Sequence, residues 1–221
     1  MKHRKRIKTF TDRYPLLGPI IWMLSIQYYL VQVETALAWS KPYSWLHNTI
    51  SDLGNTGCGN YSGRFVCSPL HSLMNSSFIT LGVTMALGSL LIYQEFKKSS
   101  ASLVGFSFMT LAGFGTVLVG LFPENSLSVF HTLGAAMPFL IGNIGIMILG
   151  LSLDIPRRLR FYTLLSGVIA LTALLFFSNH NYLGLGVGGM ERLVAYPQTI
   201  WLISFGAYIS RNHIRSARLK A

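Results

Sequence analysis

Charge is what this sequence has least of. Only 11% of its 221 residues are charged, and just seven are acidic. Soluble domains carry roughly a quarter charged residues, so the deficit excludes a chain solvated mainly by water. Cysteine is nearly absent as well. The only two, Cys58 and Cys67, lack C-x-x-C spacing, and no H-x-x-x-H or H-E-x-x-H segment occurs. Those absences remove the usual zinc arrangements. There is no Walker segment, so ATP-driven chemistry within this chain is not expected. Nor is there a convincing internal repeat, one mark of many transporters.

What the sequence has is apolar length. Half of it (51%) is hydrophobic, gathered in runs over residues 16–39, 69–93, 103–122, 129–151, 161–177 and 193–209. Each run is near the ~20 residues that cross a hydrocarbon core. Of eighteen Lys and Arg residues, fifteen fall in four clusters bordering these runs: Lys2 to Arg13, Lys97 and Lys98, Arg157 to Arg160, and Arg211 to Lys220. Only Lys41, Arg64 and Arg192 fall on the other side. That asymmetry is the positive-inside pattern. The predicted fold is an all-α polytopic membrane protein, a six-transmembrane-helix bundle in the plasma membrane with both termini cytoplasmic. Residues 1–15 form a basic start, 16–210 the membrane domain, and 211–221 a basic tail. The net charge of +11 then faces anionic lipid rather than nucleic acid.

Ala36-Leu37-Ala38 has the form of a signal-peptide cleavage site. The preceding apolar run exceeds a signal peptide's core and carries Glu34 near its end, so it reads as a membrane helix. Small residues such as Gly82 and Ala86, or Gly134, Gly142 and Gly150, allow the close backbone approach that holds helices together in lipid. Pro138 is expected to kink the fourth helix, and Pro197 to fall in the first turn of the sixth.

Inner connections are short, whereas residues 40–68 form a long outer loop. Loops beyond about 12 to 15 residues are usually functional or disordered. This one carries Trp45, Leu46, Ile50, Leu53, Phe65 and Val66, too apolar for a tether, and is expected to fold back as a cap. Cys58 and Cys67 both lie in it. Outside the cytoplasm they are a disulfide candidate; two unpaired thiols are the alternative.

Polar chemistry collects at the same outer end. His71 and Asn75 share a helix face at i, i+4, and His131 opens the fourth helix after Phe122-Pro123-Glu124-Asn125. Gln27 and Glu34 share a face of the first helix and carry a polar stripe about 10 Å inward. Ionisable groups near lipid tend to face a cavity or each other. The candidate catalytic residues are Asp52, His71 and His131, with Asp52 or His71 as base and His131 as acid. Asn48, Ser51, Asn75, Glu34, Glu124, Glu191 and Arg192 are candidate ligand-binding residues. The glycine-rich stretch Gly184 to Arg192 reads as a loop whose N–H groups and Arg192 can face an anion; a turn with Arg192 paired to Glu191 or Asp52 is the blander reading. Zinc held by His71, His131 and Asp52 is conceivable but not favoured. No cofactor is identified. Asp52 is expected within one water of His71, His131 or Arg192, so that Asp52→Asn abolishes function while sparing insertion.

The run Asn48-Thr49-Ile50-Ser51-Asp52-Leu53-Gly54 after Tyr43-Ser44 resembles a bacterial and archaeal membrane family, domain of unknown function 998. His71 and Asn75, Gly120-Leu121-Phe122-Pro123-Glu124 through His131, and Glu191-Arg192 fit the same pattern. The resemblance implies six helices and an outward polar site over about residues 16–210, with no established activity. A weaker likeness to alkaline ceramidases and progestin-receptor relatives lacks their paired histidines in the last helix. Three readings remain open: an enzyme processing a lipid or isoprenoid amphiphile from the outer leaflet, a non-catalytic binding or transport protein, and a membrane assembly partner.

Overall fold

The computed structural model describes residues 13–96 and 99–219. Six helical rods are present among them. The first comprises α1 (Leu17–Met23), a 3-10 turn (Leu24–Ile26) and α2 (Gln27–Leu37). α3 (His71–Tyr93) and α4 (Ser100–Leu121) are the second and third. The fourth joins α5 (Ser128–Ala136), a π-helical segment (Met137–Gly142) and α6 (Asn143–Ser152). α7 (Arg157–Ser178) and α8 (Gly186–Arg218) complete the set. Four segments, α3, α4, Ser128–Ser152 and α7, are long and apolar enough to cross a membrane. The 3-10 turn splits the first rod into pieces of seven and eleven residues. In α8, Glu191, Arg192, Gln198 and Thr199 dilute the apolar residues.

Both described ends of the chain meet at one end of the bundle. Gly18 packs against Leu91 and Ile92, Gly206 packs on the Pro19 carbonyl, and His213 bonds Glu95 at 2.7 Å. Ile155 shares a core with Ile92, Phe205 and Ile209, so the turn before Arg157 lies there too. The basic start before Arg13, Lys97 with Lys98, and Lys220 fall outside the described residues.

The packing is inside-out relative to a water-soluble bundle. Leu30, Phe114, Phe161 and Leu175 are 58–66% exposed, while glycines meet between rods. A Cβ on Gly82 would lie 2.4 Å from the Gly113 carbonyl, and one on Gly113 2.6 Å from the Gly82 carbonyl. Only glycine permits that approach, which adds dispersion contacts between the rods. The half nearer the described chain ends is filled by aromatic rings. Trp22, Phe106, Trp201 and Phe205 are at most 2% exposed, with Trp22 and Trp201 centroids 5.2 Å apart. The Trp22 indole N–H donates to the Met85 carbonyl, so the ring is buried without an orphaned donor.

At Pro138 the fourth rod widens into a π-helical turn. Pro138 lacks the N–H that an α-helix needs, and the chain responds with the π-helical segment. Asn143 Nδ2 donates to the Phe139 carbonyl at 2.9 Å. The sixth helix differs more. It begins at Gly186, well before Leu193, and Pro197 sits inside it. The presumed glycine loop is mostly helix.

Candidate functional site

The cap, residues 40–68, is built around a 3-10 turn (Ser51–Gly54) and a hairpin of β1 (Cys58–Tyr61) and β2 (Arg64–Cys67). Tyr43, Ile50, Leu53 and Val66 are at most 9% exposed and join a core with Tyr28, Met74 and Phe78 from the helices. Burial of those side chains docks the cap as the sequence predicts. Cys58 and Cys67 face each other across the hairpin and are joined, Cα–Cα 4.1 Å. A crosslink nine residues apart stabilises by about 2–3 kcal/mol in the chain-entropy model. Reduction, or Cys58→Ser with Cys67→Ser, is expected to lower cap stability by that amount. Proteolysis of the 40–68 segment with and without reductant measures it; equal rates would contradict it.

The hairpin turns Arg64 back onto Asp52. Asp52 is fully buried and accepts from Arg64 Nε at 2.6 Å and Nη2 at 2.7 Å, a bidentate pair. Asn48 Nδ2 at 3.1 Å and the Thr49 N–H at 2.9 Å also donate to it. The Asp52 N–H in turn donates to Thr49 Oγ1 at 3.1 Å. Glu124, from the turn after α4, completes the cluster. Its Oε1 accepts from Asn55 at 2.7 Å and its Oε2 lies 3.9 Å from Arg64 Nη2.

One cation serves two carboxyl groups, and they divide accordingly. Burial alone would raise Asp52, but its bonds from Arg64, Glu124 and Asn48 outweigh that and hold it below the usual range. Burial, then the neighbouring Asp52 charge, pushes Glu124 up to about 8. Glu124 therefore keeps a proton at neutral pH and donates it to Asp52. A folded-state value above the unfolded one stabilises fully below the unfolded value, near 4.5, and is lost as pH rises through about 8. The expected result is a cap that loosens over that window, at up to about 1.4 kcal/mol per pH unit. Glu124→Gln, which mimics the protonated carboxyl, should weaken the dependence. Melting temperature against pH for both proteins checks this, and parallel curves would contradict it.

Arg192 joins the cap to α8. Its Nη1 donates to the carbonyls of Trp45 at 3.0 Å, Asn48 at 2.9 Å and Gly188 at 2.9 Å, and Nη2 donates to the Tyr43 hydroxyl. The guanidinium also lies over the Trp45 ring, 4.9 Å from its centroid. Gly188 lets the helix approach: a Cβ there would sit 2.0 Å from the Asn48 carbonyl oxygen. The N–H groups of Gly188 and Gly189 donate to Leu46 O at 2.8 and 3.2 Å. The N–H groups and the arginine read as anion ligands are thus engaged by the cap itself.

Beside this staple, Ser51 Oγ stands between two groups. His131 Nε2 is 3.0 Å away and Glu191 Oε1 3.2 Å. His131 Nδ1 bonds the Phe122 carbonyl at 2.8 Å, and Glu191 Oε2 accepts the Ile50 N–H. A cleft of about 490 Å³ opens over this line. Arg64, Glu124 and Ser51 lie at its polar end, and Phe139, Leu174 and Phe177 form apolar wall. Below Ser51 and Glu191 is a further cavity of about 40 Å³, reached past Ala135 and Phe139.

Residues 23–208 match the family model described as protein of unknown function (DUF998). The chain belongs to that family. No curated protein and no solved structure matches it. The DUF998 match spans the cap and every residue of the outer-end cluster.

Within this DUF998 chain, Asn48, Ser51, Asp52, Glu124, His131, Glu191 and Arg192 come together as the sequence predicts. Three others do not join them. His71 Nδ1 bonds the Ser68 carbonyl at 2.9 Å. Asn75 donates to Gly54 O at 2.9 Å and holds the cap from below. Glu34 is exposed; the inward members of its helix instead bond across rods, as Gln32 does to Tyr196. The Asp52 carboxylate accepts from Asn48, Thr49 and Arg64, and none of these bonds involves His71, His131 or Arg192. Arg64 takes that place, and it and Tyr43 are the site residues that sequence reasoning missed. The signal for Arg64 was present, since it is one of only three cations outside the basic clusters. No group of three or more His, Cys, Asp or Glu residues suited to a metal ion occurs among the described residues.

Proposed function

We propose that this chain spans the bilayer with six helical rods, both ends toward the cytoplasm, and that its outer-end cleft receives an amphiphile for acid–base chemistry. The observation carrying this reading is the cleft itself. A hydrogen-bonded Ser51, His131 and Glu191 line opens beside apolar wall from Phe139, Leu174 and Phe177, so a polar head and a hydrocarbon tail each have a place. Orientation follows from charge. Arg13, Arg157, Arg158, Arg160, Arg211, Arg215 and Arg218 belong to the end where the chain's described ends meet, against Lys41, Arg64 and Arg192 opposite. The natural ligand is a lipid or isoprenoid derivative from the outer leaflet. Transport across the bundle is disfavoured by the ring-packed inner half, where Trp22, Trp201 and Phe205 are fully buried.

The test is titration of the purified protein in neutral detergent with a long-chain monoglyceride, read by native mass spectrometry. One molecule is expected to bind per chain, and Ala135→Trp, which fills the cleft, to abolish binding without lowering the melting temperature. Binding that never saturates, or that Ala135→Trp leaves intact, would sink the reading.

A further inference from the structure

We infer that Ser51 is a nucleophile, with His131 as its base, and that the ligand class is the carboxylic ester of an uncharged long-chain amphiphile. This rests on the amphiphile reading above. The argument begins with proton inventory. His131 Nδ1 faces the Phe122 carbonyl at 2.8 Å, which can only accept, so Nδ1 carries a proton. A neutral imidazole then presents its lone pair at Nε2, toward Ser51 Oγ at 3.0 Å. That is the nucleophile–base contact of an activated serine, with the base oriented by a third group. Glu191 stands on the other side of the same oxygen at 3.2 Å. Its other oxygen is fixed by the Ile50 N–H, so it cannot swing away. Ser51 has one hydroxyl proton, which it can turn to Glu191 Oε1 or to His131 Nε2. Turned to His131, it is in place for transfer as Oγ attacks.

Access and charge set the substrate class. Ser51 lines both the cleft and the small cavity beneath it, so a carbonyl can reach Oγ. Asp52 neutralises Arg64 through two bonds, and Glu124, Glu191, His131 and His180 also line the cleft. Its one permanent cation is thus already paired, which disfavours an anionic head.

The step balances without a metal or redox partner. Ser51 Oγ bonds to the ester carbonyl carbon as its proton passes to His131 Nε2. The carbon–oxygen bond to the alcohol then breaks, and His131 returns that proton to the leaving oxygen. Water attacks the acyl-serine, gives its proton to His131, and the serine leaves with that proton restored.

A long-chain alkyl fluorophosphonate tests this on the intact protein, with peptide mapping of the label. Phosphorus bonds Oγ and fluoride departs, so no turnover assay is needed. Ser62, Ser128 and Ser178 line the same cleft and serve as internal controls, since none bonds a histidine among the described residues. Label is expected on Ser51 alone, and His131→Ala should slow it at least about 100-fold. Equal label on the four serines, or none, overturns the assignment. The matching methyl phosphonate diester, which has no fluoride to lose, separates the two ideas. If the diester binds saturably while the fluorophosphonate leaves Ser51 unlabelled, the cleft reading stands and the nucleophile falls. If it does not bind, both fall.

Discussion

Arg192→Ala is expected to undock the cap from the last helix. The substitution takes one charged donor each from the carbonyls of Trp45 and Asn48 and from the Tyr43 hydroxyl, although Tyr43 still donates to the Asn48 and Thr49 carbonyls. A hydrogen bond from a charged donor is worth about 1.5–3 kcal/mol, and water entering the gap recovers part of that. A net loss of about 4 kcal/mol is expected, enough to lower the melting temperature by roughly 10 °C for a chain of this size. Arg192→Lys separates charge from shape. A single ammonium on a flexible stem cannot span acceptors arranged around a planar fork, so lysine should recover less than half of the loss. A melting temperature unchanged in Arg192→Ala would mean that the cap is held by its apolar residues alone.

Asp52→Asn is expected to lower the stability of the cap. The change is nearly isosteric, but it leaves Arg64, whose side chain is 19% exposed, without its bidentate partner. Breaking a buried pair by removing one charge costs about 3–5 kcal/mol; partial exposure of Arg64 places this one near 3. Glu124 then becomes the compensating group. Its proton is held first by burial and then by the Asp52 charge, so removing that charge lets it ionise and turn toward Arg64, now 3.9 Å away. The double variant Asp52→Asn with Glu124→Gln should therefore fall further than the two single losses summed. Additivity within about 0.5 kcal/mol would show that the carboxyl groups do not share their proton.

The helices were legible because apolar runs near ~20 residues mark them, and the runs after Pro69 and Leu103 lie within a few residues of α3 and α4. The start of α8 was not. Glycines at 184, 186, 188 and 189 look like a loop to local reasoning. Here Gly184 and Gly186 set the left-handed turn, with φ of 80° and 68°, and Gly186 and Gly188 clear space for the backbone at Leu46 and Asn48. That second use depends on a segment about 140 residues earlier in the chain.

Site legibility divides the same way. His131, Glu124 and Glu191 stood out because ionisable groups at helix ends are costly unless they converge. Arg64 did not, since its contact with Asp52 exists only after the hairpin folds the chain back twelve residues. Glu34 misled for the opposite reason. Helical spacing puts it on a face shared with Gln27, but which face looks inward is decided by neighbouring rods. Gln27 bonds Ser77 at 2.7 Å, while Glu34 remains exposed.

The central claim is that an amphiphile sits with its head at Ser51 and its tail along the fourth and fifth rods. A monoglyceride carrying a diazirine in its acyl chain tests this directly when photolysed on the protein in lipid nanodiscs. The account predicts crosslinks concentrated on Phe139, Leu174 and Phe177, competed away by unlabelled monoglyceride and absent in Ala135→Trp. Crosslinks spread equally over lipid-facing residues such as Leu30, Phe114 and Phe161, indifferent to competitor, would contradict it.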